Sequence, residues 1–135
     1  MDEATFRTYI QAFNEAKYDA LVRYYADDVT LSFANGTTLR GRDGIVDFYR
    51  PLHRAVDEAL DISFLVMDDR HVAVELETEF RAREDYEAFP RRPLKAGDVM
   101  RITSFVHYDL DDGDRFARIR VGSYRVHDDG HGASR

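Results

Sequence analysis

Two β-rich runs, residues 99–110 and 115–126, flank an Asp112-Gly113 pair, and no other feature restricts the fold as much. Asp-Gly tolerates the positive φ angles of a two-residue hairpin turn. Closing the turn there pairs Asp111 with Asp114 and sets Val106 opposite Ile119, Ser104 opposite Val121 and Ile102 opposite Ser123. The alternate positions put Phe105 with Arg120, His107 with Arg118 and Arg101 with Tyr124. One face is mostly apolar and the other mostly charged, the division a half-buried antiparallel sheet needs. The like charges of Asp111 and Asp114 cost a little, which leaves room for a slightly longer loop.

The same period runs upstream. In residues 71–84, Val72, Val74, Leu76, Thr78 and Phe80 point one way, while Ala73, Glu75, Glu77, Glu79 and Arg81 point the other. Residues 59–67 read as a strand before them, so the C-terminal half is a four-stranded meander. The N-terminal half has a helical period. Phe6, Tyr9, Ile10 and Phe13 make one stripe over residues 3–15, with Asp2 and Thr5 as capping candidates. Tyr18, Leu21, Val22 and Tyr25 repeat the spacing over 18–26, where Asp27 and Asp28 close the helix. Short strands over 29–33 and 37–40 surround the turn dipeptide Asn35-Gly36. A third stripe, Ile45, Phe48, Tyr49, Leu52 and Val56, has Asp43 as candidate cap, and Pro51 predicts a kink or break. Residues 85–98, with Pro90, Pro93 and Gly97, are long for a hairpin connection and read as a lid, a dimer contact or a mobile excursion.

Helices first and strands after give an α+β fold, with helices packed on one face of an antiparallel sheet. The 135 residues make one domain over 1–126 and a flexible polar tail over 127–135. Composition narrows the chemistry. There are no cysteines, which excludes disulfides and thiolate catalysis. The net charge of −7 argues against nucleic acid as a partner, and Arg91-Arg92 with Lys95 read as solvated surface. No apolar run reaches the roughly 18–20 residues that span a bilayer, so no membrane partner is expected. No basic-then-apolar segment follows Met1, so a cytoplasmic protein is the default. The histidines lack ligand spacing, so no metal is expected. Gly41-Arg42-Asp43-Gly44 lacks the length and lysine of a phosphate loop.

Three segments carry a resemblance: Tyr9-Ile10-Gln11-Ala12-Phe13-Asn14, Tyr24-Tyr25-Ala26-Asp27-Asp28-Val29-Thr30-Leu31, and residues 39–49 from Leu39 to Tyr49. In this order, with a Gly-containing hairpin near the end, they resemble the nuclear transport factor 2-like superfamily. The nearest branch is similar to the SnoaL-like polyketide cyclases and ketosteroid isomerases. The resemblance implies a curved, mixed or antiparallel sheet wrapped into a cone, with three helices from the N-terminal half closing a pocket. It also implies a homodimer through the outer sheet face, where Phe105, His107 and Tyr124 fall. The pocket would be lined by Leu76, Thr78, Ser104, Val106, Tyr108, Ile119 and Val121 from the sheet, with Val74 beside them. Tyr9, Phe13, Phe33 and Tyr49 would complete it, with His53 as a candidate.

Position by position, the resemblance places Tyr9 at the isomerases' oxyanion tyrosine and Tyr49 at a tyrosine of the third helix. The catalytic base falls at Phe33 and the second acid at Val106, and neither side chain moves a proton. The isomerase carboxylate pair is therefore absent, and steroid isomerisation is rejected. Tyr9 and Tyr49 either fill core or donate to a carbonyl or phenolic ligand. His53, four residues after Tyr49, either faces the cavity as an acid or base or serves structure, since Pro51 leaves its direction open. Two readings follow. One is an enzyme that isomerises, dehydrates or cyclises an apolar carbonyl compound without a cofactor, using Tyr9, Tyr49 and His53. The other is a noncatalytic module that binds a small apolar or aromatic ligand or dimerises. A carboxylate from the long loop, Glu84 or Asp85, folding over the cavity would separate them.

Overall fold

The computed structural model describes residues 1–130. Helix α1 spans Glu3–Asn14, capped by the Asp2 carboxylate, which accepts from the Thr5 amide. Helix α2 is a single turn, Tyr18–Leu21, followed by a 3₁₀ turn over Val22–Tyr24. Strand β1 (Tyr25–Phe33) begins four residues earlier than its composition suggests, so Tyr25, Asp27 and Asp28 belong to the sheet rather than to a helix end. After β2 (Thr38–Arg40), helix α3 covers Gly41–Ala55. It is capped by no side chain, so Asp43 lies in its first turn without serving as the cap. Pro51 neither breaks nor ends the helix. It sits on the exposed side, where water can serve the carbonyl that loses its donor.

Strands β3 (Val56–Met67), β4 (His71–Ala82), β5 (Val99–Leu110) and β6 (Phe116–Gly130) form the meander. The sheet order is β2-β1-β6-β5-β4-β3. Every pairing is antiparallel except β1 with β6, so the N-terminal hairpin joins the meander by a parallel edge. The result is an α+β fold with a curved, unclosed mixed sheet whose concave face is covered by α1 and α3. Strand β6 continues to Gly130, four residues beyond residue 126, where the sequence reading ends the domain. The rest of the expected tail, 131–135 with His131, lies outside the described residues.

The β5–β6 hairpin corrects the two-residue turn. The Asp111 carboxylate accepts from the amides of Gly113 and Arg115, and Asp114 takes the positive φ of 64°. The loop thus closes at Leu110 opposite Phe116, and Val106 pairs with Val121 instead of Ile119. A slide of two residues preserves which side chains share a face. Val106 remains inside, at 5% exposure, while His107 and Phe105 remain outside.

Phe6, Tyr9, Tyr25, Tyr108 and Phe116 pack edge to face and tilted, with centroids 4.7 Å apart for Tyr108–Phe116 and 4.8 Å for Tyr9–Phe116. They pack between α1, β1, β5 and β6, and Tyr9, Tyr25 and Tyr108 among them line a cavity. The 83–98 connection between β4 and β5 is tied down. Tyr86 bridges to Leu94, Phe89 packs on Phe80, and Arg92 reaches Asp98 and, through two nitrogens, Asp128. None of the described helices is long and apolar enough to cross a membrane.

Candidate functional site

Between the concave sheet face and helices α1 and α3 lies a cavity of about 420 Å³. Alternation puts Leu76, Thr78, Ser104, Val106 and Tyr108 on its wall, with Ile119 and Val121 from β6. Tyr9 and Phe13 reach it from α1, Tyr49 from α3 and Phe33 from the end of β1. Val74 is buried in the core rather than on this wall. The long loop contributes Phe89, Pro90 and Arg91 at the opening. Its carboxylates do not enter: Glu84 is exposed, and Asp85 accepts from the Ala96 amide and pairs with Lys95.

The polar groups of the cavity fall into two sets. The first is hydroxylic. Tyr9 Oη lies 3.2 Å from Tyr25 Oη, and the Tyr108 hydroxyl also interacts with that of Tyr9. Tyr49 Oη, Thr78 Oγ1 and Ser104 Oγ have no hydrogen-bond partner among the described residues. Burial holds the hydroxyls of Tyr9, Tyr25, Tyr49 and Tyr108 above their ordinary titration range, so they stay protonated and serve as neutral donors.

The second set is a carboxylate the sequence reading missed. Helix α3 runs into β3 with no loop, so Val56 starts the strand instead of ending the helical stripe. The inward parity of Val56, Leu60 and Ile62 then brings Glu58 to the cavity wall, opposite Phe80 of β4. Extending the alternation back from residue 60 would have exposed it. The Glu58 side chain is 7% exposed, and its Oε1 lies 3.0 Å from His53 Nε2. His53 Nδ1 lies 2.6 Å from Tyr18 Oη. Burial raises the Glu58 carboxyl above the ordinary carboxylate range, and the hydrogen bond and charge of His53 partly offset that rise.

His53 itself does not line the cavity. It stands behind Glu58, nearly parallel to the Tyr49 ring at 28°, with Phe13 edge-on and the Tyr18 hydroxyl at Nδ1. Of the three residues the sequence brings forward for chemistry, Tyr9 and Tyr49 face the hollow and His53 supports a group that does. The other described histidines lie elsewhere: His71 pairs with Asp68, His127 with Asp129, and His107 stands on the outer face beside Arg120. Among the described residues, no three histidine, aspartate or glutamate side chains gather as a metal site.

The SnoaL-like domain family model matches residues 6–119, most of the chain and the whole cavity-bearing sheet except β6 beyond Ile119. The chain belongs to the SnoaL-like domain family. No curated protein matches it in sequence. Solved structures share the fold of this SnoaL-like domain. A proposed polyketide cyclase from Xanthomonas campestris superposes with a TM-score of 0.74 at 22% identity, covering 89% of this chain and 87% of its own. The epoxide hydrolase/cyclase-like enzyme SalBIII of salinomycin pyran-ring formation gives 0.70 at 18% identity, covering 88% and 87%. A proposed ketosteroid isomerase from Kribbella flavida gives 0.67 at 17% identity, covering 92% and 78%. At these identities the likeness of the SnoaL-like domain to each is one of fold.

Proposed function

We propose that this SnoaL-like domain is a cofactor-independent acid–base enzyme acting on an apolar carbonyl compound, in an isomerisation, dehydration or cyclisation that begins with enolisation. Glu58 takes the proton beside the carbonyl. Tyr49, backed by Tyr9 and its hydrogen-bonded partner Tyr25, donates to the oxygen as it gains negative charge. The reading rests on one observation: a carboxylate is held inside an apolar cavity, on the same wall system as an unpartnered tyrosine hydroxyl that feels its charge. A raised carboxyl is a stronger base once ionised, and a cavity that excludes water keeps it so. The relatives' names, cyclase, epoxide hydrolase/cyclase-like and isomerase, agree with acid–base chemistry on a small molecule.

Phe33 and Val106 favour the noncatalytic reading, since both sit where an isomerase keeps its acids. That reading leaves Glu58 unexplained, because burying a carboxylate in an apolar pocket costs stability and a binding module gains nothing from it. The test is α-proton exchange of 2-tetralone in D2O, followed by NMR. Wild type should accelerate exchange, and Glu58→Gln should remove about 100-fold or more of that acceleration. Exchange that is indifferent to Glu58 rejects the enzyme reading in favour of the binding module.

A further inference from the structure

We propose that Tyr18 is a positioning residue: its hydroxyl fixes the tautomer of His53, and His53 in turn holds Glu58 with one oxygen engaged and the other free for the cavity. This rests on the reading of Glu58 as the base. With Glu58 ionised as the base, one neutral tautomer of His53 satisfies both of its contacts. Tyr18 Oη is 2.6 Å from His53 Nδ1 and 3.4 Å from the Tyr49 carbonyl, so Nδ1 is its nearer and better acceptor. With Nδ1 accepting, the ring proton sits on Nε2 and donates across 3.0 Å to Glu58 Oε1. The opposite tautomer would aim the Nε2 lone pair at an ionised carboxylate. The ring is hemmed in by Tyr49, nearly parallel to it at 28°, and by Phe13, which meets it at 89°.

Oε2 of Glu58 has no hydrogen-bond partner among the described residues and is left for a ligand. The charged groups around the chain are few. Arg50 of α3 lies over the Tyr18 ring at 5.1 Å, and Arg54 of α3 also acts on that hydroxyl. Arg83, after β4, donates to the His53 carbonyl and pairs with Asp57 of β3. From α1 the neighbour is Phe13 and from β4 Phe80, neither charged. His53 alone lowers the titration of Glu58. Tyr18, partly exposed at the outer end of the chain of hydrogen bonds, does not line the cavity, and its short hydrogen bond toward the base runs to the imidazole.

The experiment uses the intact ¹⁵N-labelled protein and long-range ¹H–¹⁵N correlation of the histidine rings at neutral pH, together with the pH profile of 2-tetralone exchange. Wild-type His53 should show a protonated Nε2 and a bare Nδ1. In Tyr18→Phe, which keeps the ring and its packing, the two nitrogen shifts should move toward each other. The rising limb of the exchange profile should shift, and kcat should fall about tenfold with KM unchanged. Glutamine at position 53 supplies a fixed N–H, so adding Tyr18→Phe to His53→Gln should cost nothing further. A protonated Nδ1 in wild type overturns the proposal, as does an unchanged tautomer in Tyr18→Phe or an equal cost in both backgrounds. If the tautomer behaves as stated but Glu58→Gln leaves exchange untouched, Glu58 is not the base while Tyr18 still locks His53.

Discussion

His53 Nε2 and Glu58 Oε1 stand 3.0 Å apart, five residues from each other in sequence, one at the last turn of α3 and the other on the second inward position of β3. The pair exists because the helix passes into the strand without a loop. The last helical turn turns His53 toward Tyr18, and the third strand residue swings a carboxylate into its reach. Both side chains are more than nine-tenths buried, so the hydrogen bond operates where water screens it little. A single inserted residue between Ala55 and Glu58 would reverse the parity of the strand start and send the carboxylate to the outer face.

The stability of the protein should carry the mark of Glu58. Burial raises its carboxyl above the unfolded value of 4.5, so folding favours the protonated form. The stability it contributes is complete below the ordinary carboxylate range and is lost as pH rises through the raised value. Glu58→Gln keeps the shape and an acceptor for His53 and removes the buried charge. Its Tm should exceed that of wild type at neutral pH, and the difference should close as pH falls toward and below 4.5, as read by calorimetry across that range.

Tyr49 is the hydroxyl most available to a ligand, since Tyr9 and Tyr25 already share a hydrogen bond. Replacing Tyr49 with Phe deletes a donor and leaves the ring, which packs on Phe13 at 5.0 Å, in place. Binding of 2-naphthol, a flat phenol of suitable size, should weaken about fivefold in Tyr49→Phe, one neutral hydrogen bond of about 1 kcal/mol, measured by fluorescence titration. Unchanged affinity would remove Tyr49 from the site.

Much of this arrangement is legible in the chain, and the part that is not has a physical cause. Alternation in residues 71–84 and 99–126 places Leu76, Thr78, Ser104, Val106 and Tyr108 on one face because a period of two survives any even slip of register. The true hairpin slips by two, through the Asp111 side chain, and the faces do not change as far as Ser123, beyond which a bulge sets Val126 opposite Ile102. Glu58 and Tyr25 escaped for the same reason as each other. Each lies at a junction where a helical stripe and a strand meet without a breaker, and Val56 and Tyr25 fit either period. Periodicity is weakest where two periods share a residue. The direction of His53 was also hidden, because Pro51 suggests a bend that α3 does not make.

The connection over residues 83–98 should depend on Arg92. Its guanidinium reaches Asp98 within the loop and, through Nε and Nη2, both oxygens of Asp128 on β6, which lowers the Asp128 carboxyl below its ordinary range. Arg92→Ala should loosen the loop without unfolding the sheet. The amides of Tyr86 and Leu94, which bond to each other's carbonyls, should lose about tenfold in protection from hydrogen exchange, while those of β4 and β5 keep theirs. Phe89 would then leave Phe80, and the cavity would open more widely.

The convex face of the sheet should make the dimer. Phe64 and Val66 of β3, Phe105 of β5 and Tyr124 of β6 all stand exposed there, and Phe105 meets Tyr124 at 5.1 Å. Apolar side chains gathered on one face of three strands are costly to leave in water and suit a self-complementary two-fold contact. Of the charged residues around them, Arg101 pairs with Glu79 and Asp129 and Arg120 with Asp109, while Glu75 stands between Phe64 and Phe105. Sedimentation should give a dimer at micromolar concentration, and Phe105→Asp, which sets two like charges near the two-fold axis, should give a monomer with the same far-ultraviolet circular dichroism. A wild-type monomer at that concentration would show that this face serves another purpose.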